Sequence, residues 1–327
     1  MSKISWGIIG CGDVTEIKSG PAFNNIKNSH LQAVMRRNAE KATDYAKRHH
    51  VPTWYTNADA LINDPNVNAI YIATPPSSHE EYAIAALKAG KPVYVEKPMT
   101  TDGASAKRIS EASIKLGIKL CVAHYRRQLP LFKKIKQLLD EKHIGRVQFV
   151  QLQLLQPVSQ KGFELKEGNW RLDPATSGGG YFHDLAPHQL DLIYYYFGKP
   201  QFTKGISLNQ GGYYKTDDTV AGTASFKNGI VMNGLWSFVA PEIEATENCR
   251  IIGTEGTISF SIFKIDKLFI IKNGQQEELT FERTPHVQQP MIEKVVPYFL
   301  NQGENPCSAD DGVVVMEMID AFTKRPD

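Results

Sequence analysis

The chain has 327 residues, 42% of them hydrophobic and 22% charged, with a formal net charge of +2. That length suits two domains better than one core, and the composition is that of a soluble globular protein. Lys and Arg are scattered, so no basic face for nucleic acid is expected. No apolar run approaches the roughly 18 residues of a membrane span. The opening MSKISWGIIGCG reads as a buried strand ending in glycines, not as a secretory leader. Cys11, Cys121, Cys249 and Cys307 lie far apart without a C-x-x-C pair. They read as reduced thiols of a cytoplasmic protein, with no disulfide frame and no metal site.

In chain order, short and nearly continuous apolar runs predict strands over 4–9, 31–35, 69–73, 92–95 and 120–123, each covered on both faces. Helical segments are predicted between them. One runs over 39–49 behind an Asn38 cap, one over 80–89 ends at Gly90, and one over 102–116 ends at Gly117. Such alternation means βαβ units and a parallel sheet. After residue 124 the rhythm changes. A helix over 129–141 leads to a long strand over 147–156, a loop over 162–177 and a helix over 185–197. Consecutive strands separated by turn signals follow from 202 to 281, and short turns make neighbouring strands antiparallel. Helices over 288–300 and 309–323 close the chain. The predicted fold class is α/β: a Rossmann domain over 1–124, then an α+β domain over 125–327 with a large, mostly antiparallel sheet.

Four motifs carry chemistry. GCGDVT at 10–15 follows the first strand directly. Gly10 allows a tight turn, Gly12 lets backbone approach a pyrophosphate, and the small Thr15 stands where the dinucleotide fingerprint has its third glycine. Asp13 and Val14 complete that predicted cofactor loop. The second strand then runs into Arg36 and Arg37, with no acid before Glu40. A guanidinium suits a 2′-phosphate where a carboxylate would repel it, so NADP is preferred to NAD. Glu96-Lys97-Pro98 ends a further strand, where open α/β sheets bind ligands, and a lysine there can stabilise an alkoxide. Finally, GGGYFHDLAPHQLD at 178–191 sets Asp184 and His188 four apart, on one face of a helix that starts near Asp184. An imidazole titrates near neutrality and suits taking a hydroxyl proton. Read alone, these two residues are an N-cap and a partly buried histidine. His183 is a weaker candidate, and Asp191 reads as structural.

Taken together, these residues resemble the Gfo/Idh/MocA family, to which glucose–fructose oxidoreductase and inositol dehydrogenase belong. The resemblance also rests on YIATPPSSH at 71–79 and AGKPVYVEKP at 89–98. It implies that Lys97, Asp184 and His188 are catalytic and touch substrate, with His188 as acid/base. It implies that Thr74, Pro75, His79 and Glu96 lie beside the cofactor, with Pro76 replacing a frequent asparagine. Tyr125, Arg126 and Arg127 match a segment near the substrate, and the Trp170-Arg171 pair sits in a loop that could reach the cleft, with a packing aromatic as the favoured role of Trp170. The family handles sugars, polyols and relatives, and its sheet often forms a dimer or tetramer face. A dinucleotide-sensing regulator and an NAD-dependent glycoside hydrolase of the same family are the rival readings, and dihydrodiol or anhydro-sugar reduction differs only in substrate.

Overall fold

The computed structural model describes residues 2–158, 165 and 168–323. It divides into two compact units, the first formed by 1–126 and 284–313, the second by 127–283 and 314–327. The boundary expected at 124 falls two residues from the observed one. The segment 284–313 was expected in the second domain and instead belongs to the first unit.

In the first unit the elements are β1 (Ile4–Ile9), α1 (Asp13–Ile17), α2 (Ala22–Asn25), β2 (Ser29–Met35), α3 (Ala39–Arg48), β3 (Thr53–Tyr55), α4 (Ala58–Ile62), β4 (Ala69–Ile72), α5 (His79–Lys88), β5 (Val93–Val95), α6 (Gly103–Leu116) and β6 (Leu120–Val122). The six strands run parallel in the order β3-β2-β1-β4-β5-β6. Strand order therefore reverses between β1 and β4, which is where doubly wound sheets bind their ligands. Asn38 caps α3 by accepting from the Lys41 amide, and Gly117 ends α6 in the left-handed region. The sequence pattern missed β3 and α4, which at three and five residues are too short to show a period.

The later segment contributes a helix over Gln289–Phe299, where Phe299 packs on Trp6 at 5.6 Å between ring centroids. Trp6 in turn meets Phe23 at 4.8 Å. A hydrophobic contact spanning nearly the whole sequence leaves no local mark, which is why the pattern assigned this helix to the wrong unit.

The second unit contains α7 (Pro130–Asp140), β7 (Val147–Leu155), α8 (Pro174–Ser177), α9 (Gly180–Phe197), β8 (Phe202–Leu208), β9 (Thr219–Ser225), β10 (Val231–Ser237), β11 (Thr246–Gly253), β12 (Gly256–Phe260), β13 (Lys267–Lys272) and β14 (Gln275–Thr280). Its eight strands are ordered β14-β13-β12-β11-β7-β10-β9-β8. All neighbours are antiparallel except the central β10–β7 pair, which is parallel. The inward face buries Leu152, Trp236, Ile251 and Ile258. Trp236 meets Phe182 of α9 at 5.1 Å, and Phe132 of α7 meets Phe260 at 6.2 Å. Gly205, Gly222 and Gly234 form one cross-strand row on that face. A Cβ on Gly205 would lie 2.6 Å from Cα of Phe322, so the trough is cut for the last helix, Ala309–Thr323.

The loop expected over 162–177 lies partly outside the described residues; its described end forms a short turn at Trp170–Leu172 and then α8. The helix expected to start near Asp184 begins a full turn earlier, at Gly180, so Asp184 is not its cap and Pro187 falls in its interior. Pro187 lacks the amide that would bond one turn back, so the helix runs through it with one internal hydrogen bond fewer.

Candidate active site

Unit 1 builds its candidate site at the carboxyl edge of the sheet. Gly10 adopts φ +94°, and a Cβ there would stand 2.7 Å from Thr74 Cγ2 and 2.8 Å from the Thr74 amide. Only glycine lets the loop after β1 lie this close to the loop after β4. The Cβ position of Gly12, by contrast, has nothing nearer than Gly10 O at 4.0 Å. The backbone is open there, as a pyrophosphate cradle requires, and the residues present fit a dinucleotide. Asp13 and Val14 open α1, with Asp13 exposed. Thr15 is fully buried, donates its hydroxyl to Gly12 O at 2.8 Å and accepts from Tyr45 Oη at 2.8 Å. Its hydroxyl stitches the turn that a third glycine would only loosen. Burial pushes the neighbouring Cys11 thiol up to about 11, against the pull of the Arg36 charge.

Arg36 reaches back over this loop, its Nη1 donating to Cys11 O at 3.1 Å, while Arg37 is exposed. Arg36 thus holds the GCG turn from the end of β2.

After β4, Thr74 and Pro75 are half-buried and Pro76 is buried. His79 is buried at the start of α5, and its ring nitrogens face backbone. Nε2 stands 2.7 Å from Thr74 O, and Nδ1 stands 3.0 Å from Pro98 O. A carbonyl only accepts, so a neutral ring donates to one of them and an imidazolium to both. Burial drives His79 toward the neutral form, while the Thr74 carbonyl, the Glu96 charge and the Pro98 carbonyl pull the other way.

After β5, Glu96 is 5% exposed. Its Oε1 accepts from Tyr71 Oη and from Gln288 Nε2, both at 2.5 Å, and its Oε2 accepts from the Lys97 amide at 3.1 Å. Tyr94 Oη donates to Gln288 Oε1 at 3.1 Å. Burial, and then the Glu96 charge, raise the Tyr71 phenol well above its ordinary range. Glu96 and His79 were both expected beside the cofactor, and their polar atoms are instead committed to protein groups that hold the loops. Lys97 itself is half-buried, followed by a cis bond to Pro98.

Arg126, at the end of unit 1, is buried with its guanidinium carbon 5.3 Å from the Tyr125 ring centroid.

In unit 2 the three glycines have separate reasons. Gly178 ends α8 at φ +85°. A Cβ on Gly179 would strike the His183 ring at 2.1 Å, and one on Gly180, at φ +75°, would lie 2.2 Å from Thr216 Oγ1. The helix they release carries Asp184 and His188 on one face as the spacing predicts, 9% and 6% exposed. The His188 ring stands 5.8 Å from that of Phe263. Arg171 Nε donates to Asp184 Oδ2 at 2.5 Å, and its guanidinium carbon lies 4.5 Å from the Trp170 ring centroid. Asn169 fixes this turn, accepting from the Arg171 amide at 3.2 Å and donating to Tyr181 Oη at 3.0 Å. Trp170 is thus the platform beneath a guanidinium that holds Asp184. Sequence reasoning placed Arg171 beside Trp170 but gave it no role, because the pairing crosses a loop without helical spacing. It also passed over Gln288.

Arg127, expected near the substrate, lies against Asp191 through bonds of 3.0, 3.1 and 2.7 Å. Its guanidinium carbon is 5.5 and 5.4 Å from the Tyr194 and Tyr195 rings. The pair is 5% and 1% exposed, so Arg127 braces α9 from inside, and Asp191 is the structural residue the sequence suggested.

The family model for the Gfo/Idh/MocA oxidoreductase family, NAD-binding Rossmann fold, matches residues 4–124, and the model for that family's C-terminal domain matches 132–259. Oxidoreductase P35 of Formosa agariphila (strain DSM 15362 / KCTC 12365 / LMG 23005 / KMM 3901 / M-2Alg 35-1) is 48% identical over 98% of each chain. The 1,5-anhydro-D-fructose reductase of Ensifer adhaerens is 26% identical over 77% of this chain and 74% of its own. A solved structure of levoglucosan dehydrogenase, in complex with NADH and levoglucosan, superposes with a TM-score of 0.87 at 23% identity, covering 98% of this chain and 96% of that one. The chain belongs to the Gfo/Idh/MocA family and is an oxidoreductase with an NAD-binding Rossmann domain. Among the described residues no helix is long and apolar enough to cross a membrane, and no cluster of three His, Cys, Asp or Glu is placed to hold a metal ion.

Removing one partner of a buried ion pair costs about 3–5 kcal/mol. Arg127→Met should therefore lower stability by about that amount, while Arg127→Met with Asp191→Leu recovers most of it; thermal melts of both variants check this.

Proposed function

We propose that the enzyme moves hydride between a nicotinamide dinucleotide, NADP in preference to NAD, and a hydroxyl- or carbonyl-bearing carbon of a sugar, polyol or related small molecule. The observation that carries the reading is the paired stripe of Asp184 and His188 on α9, with Asp184 held by Arg171, in a chain that also keeps Lys97 after β5. The dinucleotide, bound by Gly10, Gly12, Asp13, Val14, Thr74 and Pro75, supplies or accepts the hydride. In oxidation the C–H and O–H bonds of the substrate carbinol break. Lys97 stabilises the negative charge that grows on the oxygen. His188 takes the hydroxyl proton and returns it in reduction. Asp184, fixed by Arg171, supports the substrate's hydroxyls beside His188, and Arg126 and Trp170 lie in the segments that bound the substrate. The named relatives that act on levoglucosan and anhydrofructose support a cyclic polyhydroxylated substrate.

The support for NADP is electrostatic. Arg36 is tethered to the Cys11 carbonyl, Arg37 is exposed, and no acid follows β2 in the sequence before Glu40, so a 2′-phosphate there meets cations. We also propose that a second copy of the chain covers the outer face of the large sheet, giving a dimer or tetramer. Phe149, Phe202, Ile206, Val231, Leu235 and Ile271 stand on that face, each more than a third exposed. Phe149 pairs with Val231, and Ile206 and Leu235 flank Ala221. An apolar row of this kind across several strands supports that reading.

Turnover of a panel of sugars and polyols with either dinucleotide, followed by nicotinamide absorbance, tests the reaction. No net absorbance change with any substrate would favour a regulator or a redox-neutral hydrolase instead. Lys97→Ala should cut kcat by about a hundredfold or more while cofactor affinity stays within about threefold; full activity would remove the lysine from the mechanism. Arg36→Asp with Arg37→Ala should shift the ratio of kcat/KM for NADPH over NADH by about tenfold or more toward NADH. An unchanged ratio would sink the phosphate clamp. Val231→Glu with Leu235→Glu should convert the assembly to monomers in light scattering, and a monomeric parent chain would refute the interface.

A further inference from the structure

We infer that His79 is a positioning residue that ties the cofactor loop to the lysine loop, through Thr74 on one side and Pro98 on the other. The inference rests on the roles given above to Thr74 and Lys97. Three adjacent strands, β1, β4 and β5, end at one edge of the sheet, and each is followed by a loop of the candidate site. Gly10 lies against Thr74 so closely that a Cβ would touch the Thr74 amide. Thr74 O is met by His79 Nε2, and on the opposite side of the same ring Nδ1 meets Pro98 O, with Met99 O at 3.3 Å. A continuous line of contacts therefore runs from the phosphate turn, through Thr74, His79 and Pro98, to Lys97. The other flank of Lys97 is held by Glu96, whose carboxylate takes the Lys97 amide while Tyr71 and Gln288 hold its far oxygen.

A ring buried to 1% exposure, with its two nitrogens facing carbonyls of two different loops, does not reach a ligand itself. It sets the spacing between them. Here both polar atoms face loops that carry separate parts of the reaction, and this makes a separable test possible.

The amide nitrogen of asparagine falls near the position of Nδ1, and that of glutamine near Nε2. In the full-length protein His79→Asn should keep the Pro98 contact and lose the Thr74 contact. Its Kd for NADPH, read by fluorescence titration without turnover, should rise about tenfold, while kcat stays within about threefold. His79→Gln should do the opposite, with kcat down about tenfold and Kd nearly unchanged. His79→Leu should lose both. The inference is overturned if the Asn and Gln variants move Kd and kcat together, or if neither variant moves either quantity. Should the leucine variant fail to fold, the two polar variants still decide. Should the parent enzyme turn over no sugar, the proposed reaction falls, whereas the NADPH titrations continue to report on His79.

Discussion

A buried carboxylate and a buried imidazole hold the carboxyl edge of the parallel sheet in this protein. Glu96 is buried, and a phenol, a carboxamide and a backbone amide share its two oxygens. Such a group is tolerable only when its lone pairs are filled, because an unfilled one carries the full cost of leaving water. The arrangement fixes the peptide on either side of Lys97 and joins the last helical segment of unit 1 to the sheet through Gln288. Loops that carry chemistry on a rigid scaffold need such anchoring, since their own backbone makes few bonds.

The second unit solves the same problem differently. Its long helix must start abruptly beside α8: Gly178 turns the chain at φ +85°, and a side chain on Gly179 or Gly180 would strike His183 or Thr216. The helix then holds Asp184 and His188 on one face and Asp191 further along, where Arg127 braces it from the interior. Two arginines thus have separate duties on one helix. Arg127 is sealed in and structural, while Arg171, stacked on Trp170, is 37% exposed at its side chain and touches Asp184.

Several features were legible in the residues alone. The β1 strand and its glycine turn, the capped α3, the glycine stop of α6 and the shared face of Asp184 and His188 all follow from local rules of period and capping. The large antiparallel sheet was legible because its turns are short and marked by Asn-Gly pairs. Other features were not. The parallel pairing of β7 with β10 joins strands far apart in sequence, and no turn signals it. The true start of α9 was not legible, because it is set by glycines packed against His183 and Thr216. Arg127 and Arg171 look equivalent as letters, each following another large residue near the expected substrate side.

The sequence by itself therefore determined most of the strands and helices, the glycine turn after β1, the basic end of β2 and the helix face shared by Asp184 and His188, because each depends on residues within a turn or two of one another. Only the tertiary structure decided that Gln288 and Phe299 return to the first unit, that His79 and Glu96 serve the loops from within, and that Arg171 holds Asp184. Those choices depend on which side chains meet after the chain has folded, and burial and hydrogen-bond satisfaction over long separations settle them, not local propensity.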